Sequence, residues 1–119
     1  MDAEEFHRLA ETLVCRAGAA DCRTAISRAY YSAFLYCRDK LQSRGVQFDR
    51  DGSVHLQVIK ALGASRAMTH REVGDKLDKL RLVRSRADYD LDDAAVERPK
   101  NAKYYVEEAE RILSRMREI

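Results

Sequence analysis

Residues 21–44 read DCRTAISRAYYSAFLYCRDKLQSR, and this stretch places apolar side chains on two faces of one predicted helix. The bulky face comprises Ile26, Tyr30, Ala33, Phe34, Cys37 and Leu41. The small face comprises Cys22, Ala25, Ala29 and Ser32. Because both faces need cover, this helix is predicted to lie at the centre of the domain. At about 1.5 Å per residue it spans about 35 Å, which sets the length of the domain.

Four further helices are predicted, over residues 3–17, 54–62, from 69 or 70 to about 90, and from about 99 onward. Polar residues supply the start signals: Asp21 for the long helix, Ser53 for the third, and Thr69 with Glu72 as a capping box for the fourth. Pro99 suits the first turn of the last helix. Residues 45–52 and 92–96 read as polar connections, and no stretch alternates as a strand would.

Short connections favour antiparallel neighbours, so we predict an all-α protein: an up-down antiparallel four-helix bundle with an additional C-terminal helix, in one domain over residues 1–119. The composition agrees, since 35% charged residues with only 5 Gly and 1 Pro favour a mostly helical chain. No apolar run approaches the roughly 18 residues of a membrane span. The acidic start MDAEE is unlike a signal peptide. We therefore expect a cytoplasmic protein without membrane contact.

The charge balance and the cysteines give weak indications of the ligands that the protein binds. A net charge of +2 is too small to indicate nucleic-acid binding by bulk electrostatics. Arg outnumbers Lys by 16 to 6, and Arg forms forked contacts with phosphate and carboxylate groups. The three cysteines (Cys15, Cys22 and Cys37) are odd in number and lack Cys-x-x-Cys spacing. We expect reduced structural thiols, no metal site and no cofactor.

One charged residue interrupts the apolar stripe of the fourth helix. That stripe runs Val73, Leu77, Leu80, Arg84, then Ala87 or Asp88, then Leu91. A guanidinium on an inward face needs acceptors or water, because an unpaired buried charge is very costly. Asp88 lies one turn away, within reach as a partner. Arg84 is therefore predicted either to form a buried structural ion pair or to line a functional cleft.

Topology suggests which residues accompany Arg84. If the second helix runs upward, the 45–52 loop is at the top, the third helix descends and the fourth climbs back. His55, at the start of the third helix, would then lie at the same end as the end of the fourth. The predicted polar cluster comprises His55, Arg84, Arg86, Asp88 and Tyr89.

Two blocks of sequence resemble the HEPN family of small helical domains. They are AISRAYYSAF at residues 25–34 and LRLVRSRADYD at residues 80–90, in the family's order and about fifty residues apart. The resemblance covers roughly residues 6–113 and implies the same bundle, usually as a homodimer. It also implies a setting in prokaryotic toxin–antitoxin or defence systems, where such domains often accompany a minimal nucleotidyltransferase that inhibits or modifies them. Adenylylation of a tyrosine is known in this region of the family, and Tyr89 is the position to test first.

The resemblance also implies a chemistry, which this chain only partly matches. Catalytic members are metal-independent ribonucleases with Arg-x(4–6)-His at the end of this helix. Arg84 occupies the Arg position, but Tyr89 stands five residues on and no His follows His70. Tyr ionises near pH 10 and is a poor general base at neutrality. The leading hypothesis is therefore a dimeric module that binds RNA or a nucleotide through an Arg-lined cleft.

Two alternatives remain open: an active ribonuclease toxin using Arg84 with His55, and a dimeric scaffold without a ligand. Arg50 and His55 also match Arg-x(4)-His, but across a loop.

Arg28 is a further binding candidate, or a structural residue that meets a carboxylate of another helix. Tyr30 is predicted to be a core ring with a tethered hydroxyl. The other two histidines are predicted to have no functional role, with His7 facing solvent and His70 beside a helix start.

Overall fold

The computed structural model describes all 119 residues and contains five α-helices. They are α1 (Glu4–Arg16), α2 (Ala19–Ser43), α3 (Val54–Gly63), α4 (Met68–Tyr89) and α5 (Pro99–Arg117). A short 3-10 turn at Ala94–Glu97 lies in the predicted polar connection between α4 and α5. The predicted all-α fold class is confirmed, and each predicted helix is present close to its predicted bounds.

The helix starts match the predicted caps only in part. Ser53 caps α3 as predicted, because its hydroxyl accepts a hydrogen bond from the Leu56 amide at 3.3 Å. Pro99 is the first residue of α5, also as predicted. Asp21 is wrong as the N-cap of α2, which starts two residues earlier; the Asp21 carboxylate instead accepts from the Gly18 amide at 3.3 Å.

The predicted capping box of α4 is also wrong. The helix starts at Met68, and Ala67 occupies the N-cap position without any side-chain hydrogen bond. The turn before the helix is held by Ser65, whose hydroxyl accepts from the Ala67 amide at 3.2 Å. That contact draws the chain into the helix one residue before Thr69.

The four longer helices (α1, α2, α4 and α5) form the bundle, with antiparallel neighbours around a closed ring. Phe6, near the start of α1, lies against Arg28 of α2, 4.8 Å from guanidinium carbon to ring centre. His7 of α1 is hydrogen-bonded through Nε2 to the Val106 carbonyl of α5 at 3.0 Å, which pairs the start of α1 with the middle of α5. Salt bridges at 3.3 and 2.8 Å order α4 against α5 in the same antiparallel sense, joining Lys76 to Glu108 and Glu72 to Arg115.

Helix α2 is central, as its two apolar faces predict. It packs against the other four helices and the 3-10 turn. At about 1.5 Å per residue, its 25 residues span about 37 Å, close to the 41 Å length of the molecule. The buried residues of its bulky face include Ile26, Tyr30, Ala33 and Cys37, each 0% exposed. α5 is integral to the core rather than an appendage, since it contacts α1, α2 and α4.

The short helix α3 is the element added to the four-helix ring, and its direction differs from the prediction. Gly74 of α4 lies against Leu62 of α3, so α3 and α4 are antiparallel as predicted. However, the Tyr30 hydroxyl reaches His55 at the start of α3. α3 therefore runs parallel to α2, and the idea that it descends from the far end of α2 is wrong. The connection after α2 instead folds back along that helix, with Phe48 packed against the core.

None of the five helices combines the length and apolar composition that crossing a membrane requires.

Candidate functional site

One face of α2 stays partly uncovered because α1 and α4, on either side of it, do not touch each other. Arg28, Tyr31 and Leu35 follow this face at helical spacing, and each is half-buried. α3 begins against the same face, where His55 is also half-buried. The site described below is this strip of α2 together with the flanking side chains of α3 and α4.

Arg84 of α4 lies over the strip. Its side chain is 13% exposed, and its guanidinium carbon lies 5.3 Å from the ring centre of Tyr30 and 5.6 Å from that of Tyr31. A cation over an aromatic face is attracted by the ring's negative charge density. The two tyrosines thus hold the cation where an apolar side chain would otherwise complete the stripe. Leu91, which was predicted to continue that stripe, is 79% exposed and lies beyond the end of α4.

The Arg84 cation is only weakly neutralised. Its one carboxylate partner is Asp88, with Nη1 and Oδ2 3.5 Å apart and the Asp88 side chain 27% exposed. The Arg84 Nε is buried without a hydrogen-bond partner, whereas Nη1 and Nη2 are not shut off from solvent. A long contact to a partly solvated carboxylate is a weak ion pair. Arg84 therefore keeps donors available to an incoming anion.

Asp88 also links Arg84 to the second arginine of the strip. The Ser27 hydroxyl donates to Asp88 Oδ2 at 3.3 Å and accepts from Arg28 Nη2 at 3.3 Å. The Arg28 guanidinium lies 4.9 Å from the centre of the Tyr31 ring, so Arg28 and Arg84 both stack on that tyrosine. The expected carboxylate partner of Arg28 on another helix is wrong, because Phe6 and Tyr31 take its place.

His55 is held by aromatic rings and one short hydrogen bond. Its ring stacks on Phe34 with centroids 4.0 Å apart and planes inclined by 9°. Its Nδ1 lies 2.6 Å from the Tyr30 hydroxyl oxygen, which confirms that this hydroxyl is tethered. His55 is thus no loose surface residue. Because Arg84 also lies over Tyr30, the structure brings both His55 and Arg84 against one phenol ring.

The surroundings fix the protonation of this pair. Burial raises the pKa of Tyr30 well above 10, with the cations of Arg84 and Arg81 opposing that shift. Burial also lowers the pKa of His55 below 6.5, and the same two cations lower it further. At neutral pH, Tyr30 is therefore a protonated phenol and His55 a neutral imidazole. Asp78 holds Arg81 at 3.0 Å, so the nearby charges (Arg28, Arg81 and Arg84 against Asp78 and Asp88) sum to +1.

Two residues of the predicted cluster lie away from this strip. Arg86 points to the other side of α4, where its Nε lies 3.4 Å from Asp93 Oδ2. Tyr89 is 76% exposed, and its hydroxyl makes no hydrogen bond to the protein. Tyr89, where the resemblance predicts a histidine, thus faces solvent, whereas the imidazole that shares Tyr30 with Arg84 belongs to His55 of α3.

The other histidines and the cysteines also have defined places. His7 is 6% exposed, so the prediction that it faces solvent is wrong; it ties α1 to α5. His70 accepts or donates one hydrogen bond to Ser65 at 2.9 Å next to the start of α4. Cys22 and Cys37 are buried and Cys15 is exposed, all three as free thiols. No three metal-ligating side chains converge anywhere in the chain.

Sequence reasoning missed Arg23 and the role of Tyr31. Arg23 is 8% exposed and donates to Glu97 and to three carbonyls that follow or end α4. Its place next to Cys22 on the small face was a usable signal, because a large cation beside a buried face needs local acceptors. Tyr31 lies off the bulky stripe, and its periodicity alone gives no hint of two stacked guanidiniums.

Three of the four surface cavities have volumes of about 290, 570 and 320 Å³, and none of these three is lined by Arg84 or His55. The first lies between α4 and α5, where Lys76, Tyr104 and Glu108 form its rim. The strip therefore lies outside these three cavities.

Comparison with known proteins gives one match. The family model described as HEPN domain matches residues 2–119, nearly the entire chain. No curated protein and no solved structure gives a significant match to the chain.

Proposed function

Because the chain belongs to the HEPN domain family, we propose that it is a helical module that binds RNA or a nucleotide through Arg84, Arg28 and His55. Domains of this family often have ribonuclease or nucleotide-related roles. The observation that carries the proposal is the set of unpaired donors on one strip. Arg84 Nη1 and Nη2 and His55 Nε2 lack hydrogen-bond partners in the protein, and none is shut off from solvent.

Charge and ring chemistry both favour a phosphate-bearing ligand. The excess of one positive charge around the strip attracts an anion, and a guanidinium can form two parallel hydrogen bonds with phosphate oxygens. Tyr31 contacts both guanidiniums and thereby holds the Arg28 and Arg84 cations on the same strip. A phosphate group can therefore meet both cations.

The arrangement favours binding over cleavage. A general base must present an unprotonated nitrogen to the hydroxyl that it activates. The Nδ1 of His55 faces the Tyr30 hydroxyl inside the protein, at 2.6 Å. The nitrogen left for a ligand is then Nε2, and it carries the proton of the neutral ring when the phenol donates to Nδ1. His55 is suited to donate a hydrogen bond to phosphate and unsuited to remove a proton from the ribose.

Fluorescence anisotropy with a short labelled single-stranded RNA tests this function. Arg84→Gln should weaken binding about tenfold or more, because it removes charged hydrogen bonds to phosphate. Arg86→Gln is the matched control, since it makes the same change on the same helix where Arg86 pairs with Asp93. Equal losses in both variants, or no binding by the folded wild-type protein, would contradict the proposal. Affinity should also fall as salt rises.

The runner-up is a metal-independent ribonuclease that uses Arg84 with His55. The observation in its favour is that both side chains contact the same Tyr30 ring. Incubation of RNA with the protein in EDTA tests it, with Arg84→Ala as the inactive reference. Cleavage that Arg84→Ala abolishes would establish the enzyme and overturn the binding-only function; intact RNA would exclude it.

The assembly and partner belong to the same proposal. HEPN domains often dimerise. A homodimer that joins two strips would place them face to face and form a cleft, and Leu35, the half-buried apolar residue of the strip, is a candidate contact residue. Light scattering of the wild type and Leu35→Glu tests it. A nucleotidyltransferase of a toxin–antitoxin or defence pair is the proposed partner. Tyr89, 76% exposed, is accessible for its adenylylation, which mass spectrometry would detect after co-expression.

A further inference from the structure

The hydrogen bond between Tyr30 and His55 links the buried core of α2 to the site. Tyr30 is 0% exposed, and its hydroxyl oxygen lies 2.6 Å from His55 Nδ1. The hydroxyl has no other hydrogen-bond partner in the protein, so His55 Nδ1 is the one acceptor available to its proton. The nearly parallel rings of Phe34 and Tyr30, inclined to His55 by 9° and 12°, leave the imidazole little freedom to turn over.

We infer that Tyr30 is a positioning residue that fixes His55 as the neutral tautomer with its proton on Nε2, so that His55 serves the site as a hydrogen-bond donor. The phenol donates to Nδ1, which must then be unprotonated. A neutral imidazole carries one proton, and Nε2 receives it. The identification of phosphate as the acceptor for His55 Nε2 rests on the proposed function. The tautomer itself does not depend on that function.

The neighbouring charges support the neutral ring. Arg84 and Arg81 both oppose an imidazolium at His55, and no carboxylate contacts the ring. A neutral donor also suits this place better than a third cation between two guanidiniums. The ligand class that follows is a phosphate ester whose non-bridging oxygen accepts from Nε2 while another oxygen meets the Arg84 guanidinium.

Nuclear magnetic resonance on the free protein tests the tautomer directly. Long-range proton–nitrogen correlation spectra at neutral pH should show His55 with a protonated Nε2 and an unprotonated Nδ1. In Tyr30→Phe, both neutral tautomers should be visible. Tyr36→Phe is the matched control, because it removes a phenol from the same helix whose hydroxyl has no hydrogen bond to the protein, and it should leave the His55 signals unchanged.

The spectra overturn the inference if wild-type His55 carries its proton on Nδ1, if it is an imidazolium at neutral pH, or if Tyr30→Phe leaves the tautomer as it was. If Tyr30→Phe does not fold, the tautomer observed in the wild-type protein still tests the inference. The substitutions of His55 described below test it as well. None of these spectra requires RNA. Absence of RNA binding would therefore remove the proposed function and leave the tautomer result standing.

Substitution of His55 provides the second measurement, with the same labelled RNA. Glutamine places an amide donor near the position of Nε2, so His55→Gln should bind within about threefold of the wild type. His55→Ala should lose about tenfold or more, the loss expected for one hydrogen bond to a charged oxygen. Equal losses for glutamine and alanine would overturn the donor role.

Discussion

Arg23 Nε donates to Glu97 Oε2 at 2.7 Å, a contact that joins the start of α2 to the 3-10 turn. The same guanidinium donates from Nη1 to the Ala87 carbonyl at 2.9 Å and from Nη2 to the Asp93 carbonyl at 3.1 Å. Carbonyls in the last turn of a helix have no partner within it, and a buried cation satisfies them well. Arg23 therefore fixes the end of α4, the segment that carries Arg84.

Arg23→Met should lower the free energy of unfolding by about 3 to 5 kcal/mol, because it strands Glu97 and the carbonyls that Arg23 now satisfies. Urea denaturation measures the loss. Arg86→Met is the control, since the Arg86 side chain is 52% exposed and its pair with Asp93 should be worth at most about 1 kcal/mol. Equal costs in the two variants would refute the role given to Arg23.

Arg84 and Asp88 should behave as a weak pair. A double-mutant cycle with Arg84→Met and Asp88→Leu should give a coupling energy of about 0.2 to 1 kcal/mol, as for solvated ion pairs. Asp88→Asn should tighten RNA binding, because it removes the anion that competes with the ligand for Arg84. A coupling of about 3 kcal/mol or more would instead identify a buried structural pair.

Stability should depend on pH through His55. Its pKa lies below the ordinary 6.5 in the folded protein because of burial and the cations of Arg84 and Arg81. Between that lowered value and 6.5, the unfolded chain binds a proton that the folded ring rejects, so stability rises with pH across this window and levels off above it. His55→Gln should flatten the rise in thermal midpoint with pH below 6.5. Parallel curves for variant and wild type would rule out this contribution.

The thiols should differ sharply in reactivity. Cys15 is exposed, whereas burial raises the pKa of Cys37 to about 12 and keeps it protonated. Because the thiolate is the nucleophile, a disulfide reagent at pH 8 should modify Cys15 alone in the native protein. Cys22 and Cys37 should react only after unfolding. Rapid labelling of all three under native conditions would show that the core opens easily.

Ala17 ends α1 in the left-handed conformation, with φ of 62°. A side chain there costs about 1 kcal/mol, and glycine avoids that cost. Ala17→Gly should therefore raise the unfolding free energy by several tenths of a kcal/mol, net of the added entropy of the unfolded chain. Ala64→Gly is the control, because Ala64 ends α3 with a right-handed φ of −85° and should only lose stability.

Helical periodicity predicts some residues of the site but not others. The interrupted stripe singled out Arg84, and the antiparallel pairing of α3 with α4 was enough to bring His55 near it. The direction of α3 relative to α2 was not predictable, because the ten residues after α2 are long enough to lead either way. Arg86 was placed in the cluster because it lies close to Arg84 in sequence, yet the helix turns it to the other side of α4.

Helical spacing by itself determined that the chain is an all-α bundle with α2 at its centre, because apolar residues recurring every three or four positions on two faces require cover on both sides. It also determined that a cation would interrupt the inner face of α4. Only the tertiary structure decided which cation is buried and satisfied, since the acceptors of Arg23 come from segments more than sixty residues away. It likewise decided that His55 and Arg84 both contact Tyr30, because these contacts depend on how α2, α3 and α4 pack together.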